Sequence, residues 1–461
     1  MSLRSRTSPA AWIVAAAMFM ENLDATILVT AAPAIAADLG VAAEDVGAAM
    51  TVYLVAVACS IPLSGWLSTR IGPRVVFLSA IAGFTVFSAL CAMSDGLLAL
   101  CVFRALQGIA GGMMVPVGRL IVLRSSAKSD LIRAIAVITW PALLAPAIAP
   151  AVGGLIVTVT TWHWIFLINV PLGILGLVLA FVFVPKTREE PTRLDVPGLL
   201  LTTVACCAVL LAFEGAARLD LTSAVLLVIA ALSLAALLLW LRRTTQPLVD
   251  LGIFRTETFR TGNSSGFVFR LVVSAVPFLL ALALQEGLGW SALLASAPVT
   301  ALFLGNIAAK SLATVQLHRW GFRGVLLVSI AGSLVLLVAL ALLGAAWPIW
   351  LVTVIAFVSG WFRSTGFTAF NTLQFADVDG AALASANTVS SVLAQLAQAG
   401  GIALAATIVR IVADAGGGTD AMLPYNIAFA VAAALLLLPM AGALRLSRGA
   451  GAHVTARRTK R

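Results

Sequence analysis

Apolar residues run along this chain in long blocks, and polar positions fall in the short gaps between them. The pattern predicts helical spans, with boundaries good to a few residues, at 11–33, 48–68, 75–93, 97–122, 134–158, 164–184, 197–214, 222–241, 263–284, 292–312, 325–344, 347–370, 385–411 and 425–444. Each is near the ~20 residues that a helix needs to cross a bilayer. Lipid admits only helices or closed barrels as spanning structures, so blocks of this length predict an all-α membrane protein.

Composition sharpens that picture. The 461 residues are 61% hydrophobic and 10% charged, against roughly 25% charged in a soluble domain. A net charge of +10 would suggest nucleic acid if the charges were clustered on one soluble face. They lie instead in short loops and in the tail from Arg445 to Arg461. With the N-terminus inside, the inner loops hold Arg70 and Arg74; Arg124, Lys128 and Arg133; Lys186, Arg188 and Arg193; Arg242, Arg243, Arg255 and Arg260; and Arg319 and Arg323. The outer loops hold Arg218 and Arg410 beside acids such as Asp38, Glu44, Asp45, Asp95 and Asp420. This is the positive-inside pattern, so both termini are expected in the cytoplasm and no nucleic-acid partner is implied.

The five cysteines, Cys59, Cys91, Cys101, Cys206 and Cys207, lie in apolar runs without metal spacing. They read as small buried hydrophobes rather than as disulfides or ligands. Arg4 and Arg6, an apolar run and Ala34-Ile35-Ala36 resemble the parts of a signal peptide. Glu21 and Asp24 interrupt that run, which is also too long for such a peptide, so it reads as a retained first span.

Those two acids are the strongest chemical signal. Each costs about 2.5–3.5 kcal/mol or more at the centre of a span. At i, i+3 spacing they share one helical face, which must look into protein or water. A buried structural pair and a protonation site are the two readings. Arg104, in Phe103-Arg104-Ala105-Leu106-Gln107-Gly108 of the fourth span, sits at a similar depth and needs a partner, with Asp24 or Glu21 the obvious ones. Gly108, Gly111 and Gly112 form a small face for close helix approach. In the fifth span Pro141, Pro146 and Pro150 precede Gly153-Gly154, reading either as tolerated curvature or as a bendable helix.

Trp162 and Trp164 flank His163 at an outer boundary, as an interfacial aromatic belt would. Asn22, Gln107, Trp140 and Asn169 are candidate polar and aromatic contacts for a substrate. In the later spans Arg270 and Arg363 sit deep enough to line a cavity, whereas Lys310, near a span end, can snorkel. Asn306, Asn371, Asn387, Gln395 and Gln398 add polar lining or interhelical hydrogen bonds.

Arg70-Ile71-Gly72-Pro73-Arg74 follows the second span, and Arg319-Trp320-Gly321-Phe322-Arg323 follows the tenth. This echo suggests parallel repeats. Its offset of eight spans is explained by two six-helix halves with a two-helix hairpin between them. The expected divisions are 1–184, 185–262 with its amphipathic linker at 242–262, 263–444, and a basic tail at 445–461. No phosphate-binding glycine loop occurs, and three widely spaced histidines make a metal site improbable. No enzyme activity and no cofactor is expected, and energy would come from an ion gradient.

Several stretches resemble the major facilitator superfamily, and within it the fourteen-span drug:proton antiporters. Leu23-Asp24-Ala25-Thr26-Ile27 through Pro33 is similar to the first-span motif, with Val29 where an Asn is usual. Gly65-Trp66-Leu67-Ser68-Thr69-Arg70-Ile71-Gly72-Pro73-Arg74 resembles the loop motif, with Thr69 in place of the usual Asp. Arg104-Ala105-Leu106-Gln107-Gly108 matches the fourth-span motif. Ala149-Pro150-Ala151-Val152-Gly153-Gly154 resembles the fifth-span antiporter motif, with Ala149 for its usual Gly. Trp162-His163-Trp164-Ile165-Phe166-Leu167-Ile168-Asn169-Val170-Pro171-Leu172-Gly173 is similar to a stretch of the fourteen-span group. Met113 to Leu120 and Asn371-Thr372-Leu373 resemble one bacterial multidrug-transporter branch of it.

The resemblance implies a major-facilitator fold in the inner membrane that exports small amphipathic compounds in exchange for protons. It implies a proton-coupling role for Asp24, with Glu21 and Arg104, and substrate bound near the midplane. Gly65, Arg70, Gly72, Arg74, Pro146, Pro150, Gly153 and Gly154 would belong to the conformational motifs. The expected partners are small molecules and lipid, and the expected form is a monomer. A dedicated exporter of one metabolite or antibiotic, and a non-transporting membrane receptor, are the alternatives.

Overall fold

The computed structural model describes residues 9–41, 45–126, 130–186, 195–216, 221–244, 251–344, 346–415 and 421–455. Among them every regular element is helical: α1 (Pro9–Leu39), α2 (Gly47–Ile71), α3 (Pro73–Ala92), α4 (Leu97–Ser125), α5 (Leu131–Val159), α6 (Trp164–Leu167), α7 (Asn169–Phe183), α8 (Val196–Ala216), α9 (Leu221–Arg243), α10 (Glu257–Leu282), α11 (Ala292–Ala341), α12 (Ile349–Ala376), α13 (Leu383–Ala415), α14 (Leu423–Leu435), α15 (Leu437–Arg445) and α16 (Ala452–Thr455). Eleven helical stretches among the described residues are long and apolar enough to cross a membrane. Val196–Val209 and Leu294–Lys310 are shorter apolar helices.

Element boundaries follow backbone chemistry. Pro171 has no N–H for the carbonyl of Leu167, and Pro439 has none for that of Leu435. The helix breaks just after each of those carbonyls, at Ile168 and Leu436. α11 is 50 residues long and takes in two expected spans, with the chain turned at Gly321 (φ 66°, ψ 175°). Gly72, between α2 and α3, has the same kind of backbone (φ 90°, ψ 142°). A side chain at either would be strained. The sequence echo is therefore also a conformational echo. α5 runs unbroken through Pro141, Pro146 and Pro150.

The chain divides into two compact units. The first comprises residues Met1–Cys207, Leu237–Asp250 and Gly380–Val392; the second comprises Ala208–Ala236, Leu251–Asp379 and Leu393–Arg461. The stretch 185–262, expected as an inserted segment, is thus shared between them. Within it, residues 245–250 of the expected amphipathic linker lie outside the described set, and Leu251–Arg255 forms a 3-10 turn. Of the expected tail, 456–461 likewise lie outside.

In the first unit α4 is the hub, packed on α2 and α3. The glycine face makes this possible. A Cβ at Gly108 would stand 2.6 Å from the Tyr53 carbonyl oxygen, and one at Gly112 would collide with that of Val57. Gly111 abuts Phe84 of α3 and the Tyr53 hydroxyl. Two apolar clusters fill the unit. One holds Val14, Met18, Met20, Phe77, Phe84 and Met114. The other holds Leu23, Ile27, Leu28, Leu100, Ile165 and Phe166. α1 passes from the first to the second between Met20 and Leu23, with Glu21 inside that step and Asp24 one residue past it.

In the second unit α11 and α12 lie against each other by the same device. A Cβ at Gly305 would collide with the Phe357 carbonyl, and one at Gly360 with that of Leu302. α10 lies on α12, where Gly262 leaves room for Gln374.

Candidate functional site

α1, α4 and α7 converge on one carboxylate. Asp24 Oδ2 accepts from Arg104 Nη1 at 2.5 Å, and Asp24 Oδ1 accepts from Gln107 Nε2 at 3.0 Å and from Asn169 Nδ2 at 2.7 Å. Arg104 and Gln107 reach it together because i, i+3 positions share a helical face. Arg104 Nη1 also donates to Gln107 Oε1 at 2.8 Å, which orients the amide. Asn169 Nδ2 further donates to Ser88 Oγ of α3 at 3.0 Å, and that hydroxyl donates to the Phe166 carbonyl at 3.0 Å. The guanidinium lies over the Tyr53 ring, 4.0 Å from its centroid, with Phe166 at 5.7 Å. Arg104, Gln107 and Asn169 are fully buried, and Asp24 is 1% exposed.

A buried ion pair survives loss of hydration only if geometry and further hydrogen bonds repay it. Here both carboxylate oxygens are occupied, and an aromatic face covers the cation. The expected face of α1 looks into protein at Asp24: three donors surround the carboxylate.

Glu21, one turn earlier on α1, is different. It is 8% exposed, and its Oε2 is buried with no hydrogen-bond partner among the described residues. The Tyr53 hydroxyl and the Nε and Nη2 groups of Arg104 are likewise without hydrogen-bond partners. The two acids of α1 therefore have unlike surroundings: one saturated with donors, the other bare.

The remaining candidates scatter. Asn22 is half-buried and donates to the Met18 carbonyl of its own helix at 2.8 Å, outside the Asp24 cluster. Gly65 accommodates Thr388 of α13. Arg70 is exposed, and Arg74 donates to the Phe181 carbonyl at 2.5 Å with its guanidinium 5.3 Å from the Phe181 ring centroid. Thr69, where the resembling motif carries an acid, turns its hydroxyl to the Trp66 carbonyl at 2.8 Å. Gly153 is buried and Gly154 half-buried on α5. The side chains of Trp140, Pro146 and Pro150 lie outside the described residues.

Trp162 is not part of an interfacial belt. It is 3% exposed, donates to Asp38 Oδ2 at 2.9 Å and stacks on His163 at 3.9 Å, whereas Trp164 is 52% exposed. The buried ring turns its indole N–H to the exposed carboxylate of Asp38, near the end of α1.

In the second unit Arg270 of α10, 4% exposed, donates from Nη2 to Asn371 Oδ1 at 3.0 Å and to Gln374 Oε1 at 2.8 Å, both on α12. Arg363 of α12, 6% exposed, donates from Nη2 to the Val273 carbonyl of α10 at 2.5 Å. Lys310 does not snorkel. It is 8% exposed, with Nζ donating to Thr368 Oγ1 at 2.8 Å and lying 5.8 Å from the Phe367 ring centroid. A hydroxyl within reach of Nζ stands in for the water that the ammonium would reach by snorkelling. Asn387 donates to the Pro116 carbonyl at 2.7 Å within the first unit, an interhelical hydrogen bond as expected.

Sequence reasoning missed Tyr53 and Ser88. For the first there was a signal: the chain has two tyrosines, and an aromatic face in a span can cover a buried guanidinium. Ser88 carried none, since serines in spans commonly bond their own helix.

Comparison with known proteins supplies the wider frame. The family profile described as Major Facilitator Superfamily matches residues 14–241. A Salmonella heidelberg protein is 35% identical over 422 residues, covering 90% of this chain and 89% of its own length. An Escherichia fergusonii protein is 35% identical over 404 residues, covering 87% and 86%. Each carries the provisional name multidrug resistance protein MdtD. Among solved structures, that of the human organic anion transporter MFSD10 (TETRAN) is similar with a TM-score of 0.65, over 93% of this chain and 99% of that one, at 15% identity. That likeness concerns the fold.

Proposed function

Because the chain belongs to the major facilitator superfamily of membrane transporters, we propose that it is a proton-coupled antiporter. It exports small amphipathic compounds from the cytoplasm by alternating access. In this reading it has two six-helix halves with an inserted hairpin, fourteen spans in all. It resides in the inner membrane as a monomer with both termini inside, and it uses protons as the coupling ion with no cofactor. The multidrug names of the relatives support the substrate class.

The observation that carries the proposal is the contrast between the two acids of α1. Protonating Asp24 would sacrifice the Arg104 ion pair and weaken its bonds from Gln107 and Asn169. Protonating Glu21 breaks no hydrogen bond, because its buried Oε2 has none. Glu21 is thus the group from which a proton is exchanged at low cost when the unit opens to water. Asp24 follows only when Arg104 is drawn away, and that links its protonation to the relative position of α1 and α4. Arg104 responds to the charge on α1, and Tyr53 lets its guanidinium remain buried while it does so. Gln107 and Asn169 hold the carboxylate of Asp24; they contact substrate only if it is released. Arg270 and Arg363 are the candidates for binding an electron-rich or acidic group of the substrate.

The test is drug-dependent proton movement in inverted vesicles. The unaltered protein should discharge a proton gradient on addition of substrate, and Glu21→Gln should abolish that discharge while leaving the folded protein in the membrane. No substrate-dependent discharge by the unaltered protein against a broad compound library would overturn the antiporter reading. Protection against one compound only, in a resistance panel, would favour a dedicated exporter.

A further inference from the structure

One side-chain cluster plays no part in the proton chemistry. Cys59 of α2 and Cys207 of α8 are 148 residues apart in sequence, yet their Sγ atoms lie 2.7 Å from each other. A disulfide bond is about 2.05 Å long, so closing one asks for a movement of well under 1 Å. The pair does not stand alone. Thr203, one turn before Cys207 on the same face of α8, directs its hydroxyl at the Cys59 carbonyl at 3.5 Å. The same strip of α8 therefore meets the same residue of α2 twice. All of these residues belong to the first unit.

Their location selects the chemistry. Cys59 is the central residue of the 25-residue α2, and Cys207 lies one residue past the centre of the 21-residue α8. Both are half-exposed on helices whose surroundings are apolar. A water-soluble oxidant has no route to the middle of a span, whereas a lipid-soluble one does. Cys206 is buried and points elsewhere on α8, since adjacent helical positions are about 100° apart. Cys91 and Cys101 are not in this cluster.

We propose that Cys59 and Cys207 form a reversible disulfide, an oxidation site addressed from within the lipid by a quinone. The two thiols lose two protons and two electrons as the S–S bond forms. The quinone takes up both and leaves as the hydroquinone. A dithiol reductant reverses the step by exchange. The bond ties α8 to α2, the helix that leads into the Gly72 loop and carries the Tyr53 ring beneath Arg104. Cysteine spacing along the chain holds no hint of the pair, because only the approach of α8 to α2 brings the two together.

The experiment uses the full chain in native membranes, treated with tetramethylbenzoquinone, then denatured and labelled with a mass-tagged maleimide. Two of the five tags should be lost, and dithiothreitol should restore them. Peptide mapping should find Cys59 joined to Cys207 with a mass two hydrogens lower. Cys59→Ser and Cys207→Ser should each keep all four remaining tags, and Cys206→Ser should still lose two. Retention of five tags by the unaltered protein would overturn the proposal. So would loss of tags in either serine variant, or a link to another cysteine or to a second chain.

Discussion

Each unit buries cations in an apolar interior, but the two hold them differently. In the first, Arg104 faces a carboxylate at 2.5 Å. In the second, Arg270 is held by the amide oxygens of Asn371 and Gln374, and Lys310 by the hydroxyl of Thr368. Amide and hydroxyl oxygens stay neutral across physiological pH, whereas a carboxylate does not. A proton can therefore change the balance around Arg104 but finds no such handle in the two amide contacts of Arg270, whose guanidinium keeps its own proton. The residue types alone do not reveal this: both are arginines in mid-helix. What each is hydrogen-bonded to decides whether a proton can alter the charge of that partner.

The largest expected effect comes from breaking the first arrangement. Asp24→Ala leaves Arg104 buried without its counter-charge and should destabilise the protein by about 3–5 kcal/mol. Thermal unfolding in detergent reads this, and adding Arg104→Leu to the same chain should recover much of the loss. An additive double variant would mean that the pair does not act as a pair. Next in size, Arg270→Leu removes the cation and leaves only neutral amides behind, at a cost of about 1.5–3 kcal/mol. It should lower transport without altering the shape of its pH profile, whereas Glu21→Gln should flatten that profile. If Arg270→Leu moves the profile as much as Glu21→Gln does, the contrast between the units fails. Gly108→Ala, which sets a methyl against the Tyr53 carbonyl, should cost about 1–3 kcal/mol and weaken coupling by pushing α2 off α4. The smallest effects sharpen the likeness rather than the difference. Gly72→Ala and Gly321→Ala should each cost about 1–3 kcal/mol, by similar amounts, because both backbones occupy the region that only glycine tolerates. A cost at one and none at the other would show the loop echo to be sequence alone.

The bearing of particular residues shows what could be read in advance. The pairing of Arg104 with an acid of the first span follows from energetics, since neither charge can sit alone in lipid. Which acid it chooses does not follow: Glu21 and Asp24 share a face, and only the placement of α4 and α7 separates them. Gln107 and Asn169 read as candidate substrate contacts along the chain, and the structure hydrogen-bonds both to Asp24. Lys310 reads as snorkelling because its distance from a span end is visible and the Thr368 hydroxyl on another helix is not. The breaks at Ile168 and Leu436 follow from proline chemistry in retrospect, each one residue past the carbonyl, of Leu167 or Leu435, that Pro171 or Pro439 cannot serve.

The chain by itself determined that it is helical, that it belongs in lipid, and that its glycines sit where helices and turns need them. Those are properties of local composition and backbone, and bilayer thickness and φ, ψ preferences act on a few residues at a time. Tertiary structure alone decided which acid is saturated and which is bare, which cations rest on neutral oxygens, and which two of five thiols meet. Each of those depends on groups dozens to hundreds of residues apart arriving within 3 Å. No periodicity encodes that, because it is set by how whole helices are rotated and stacked.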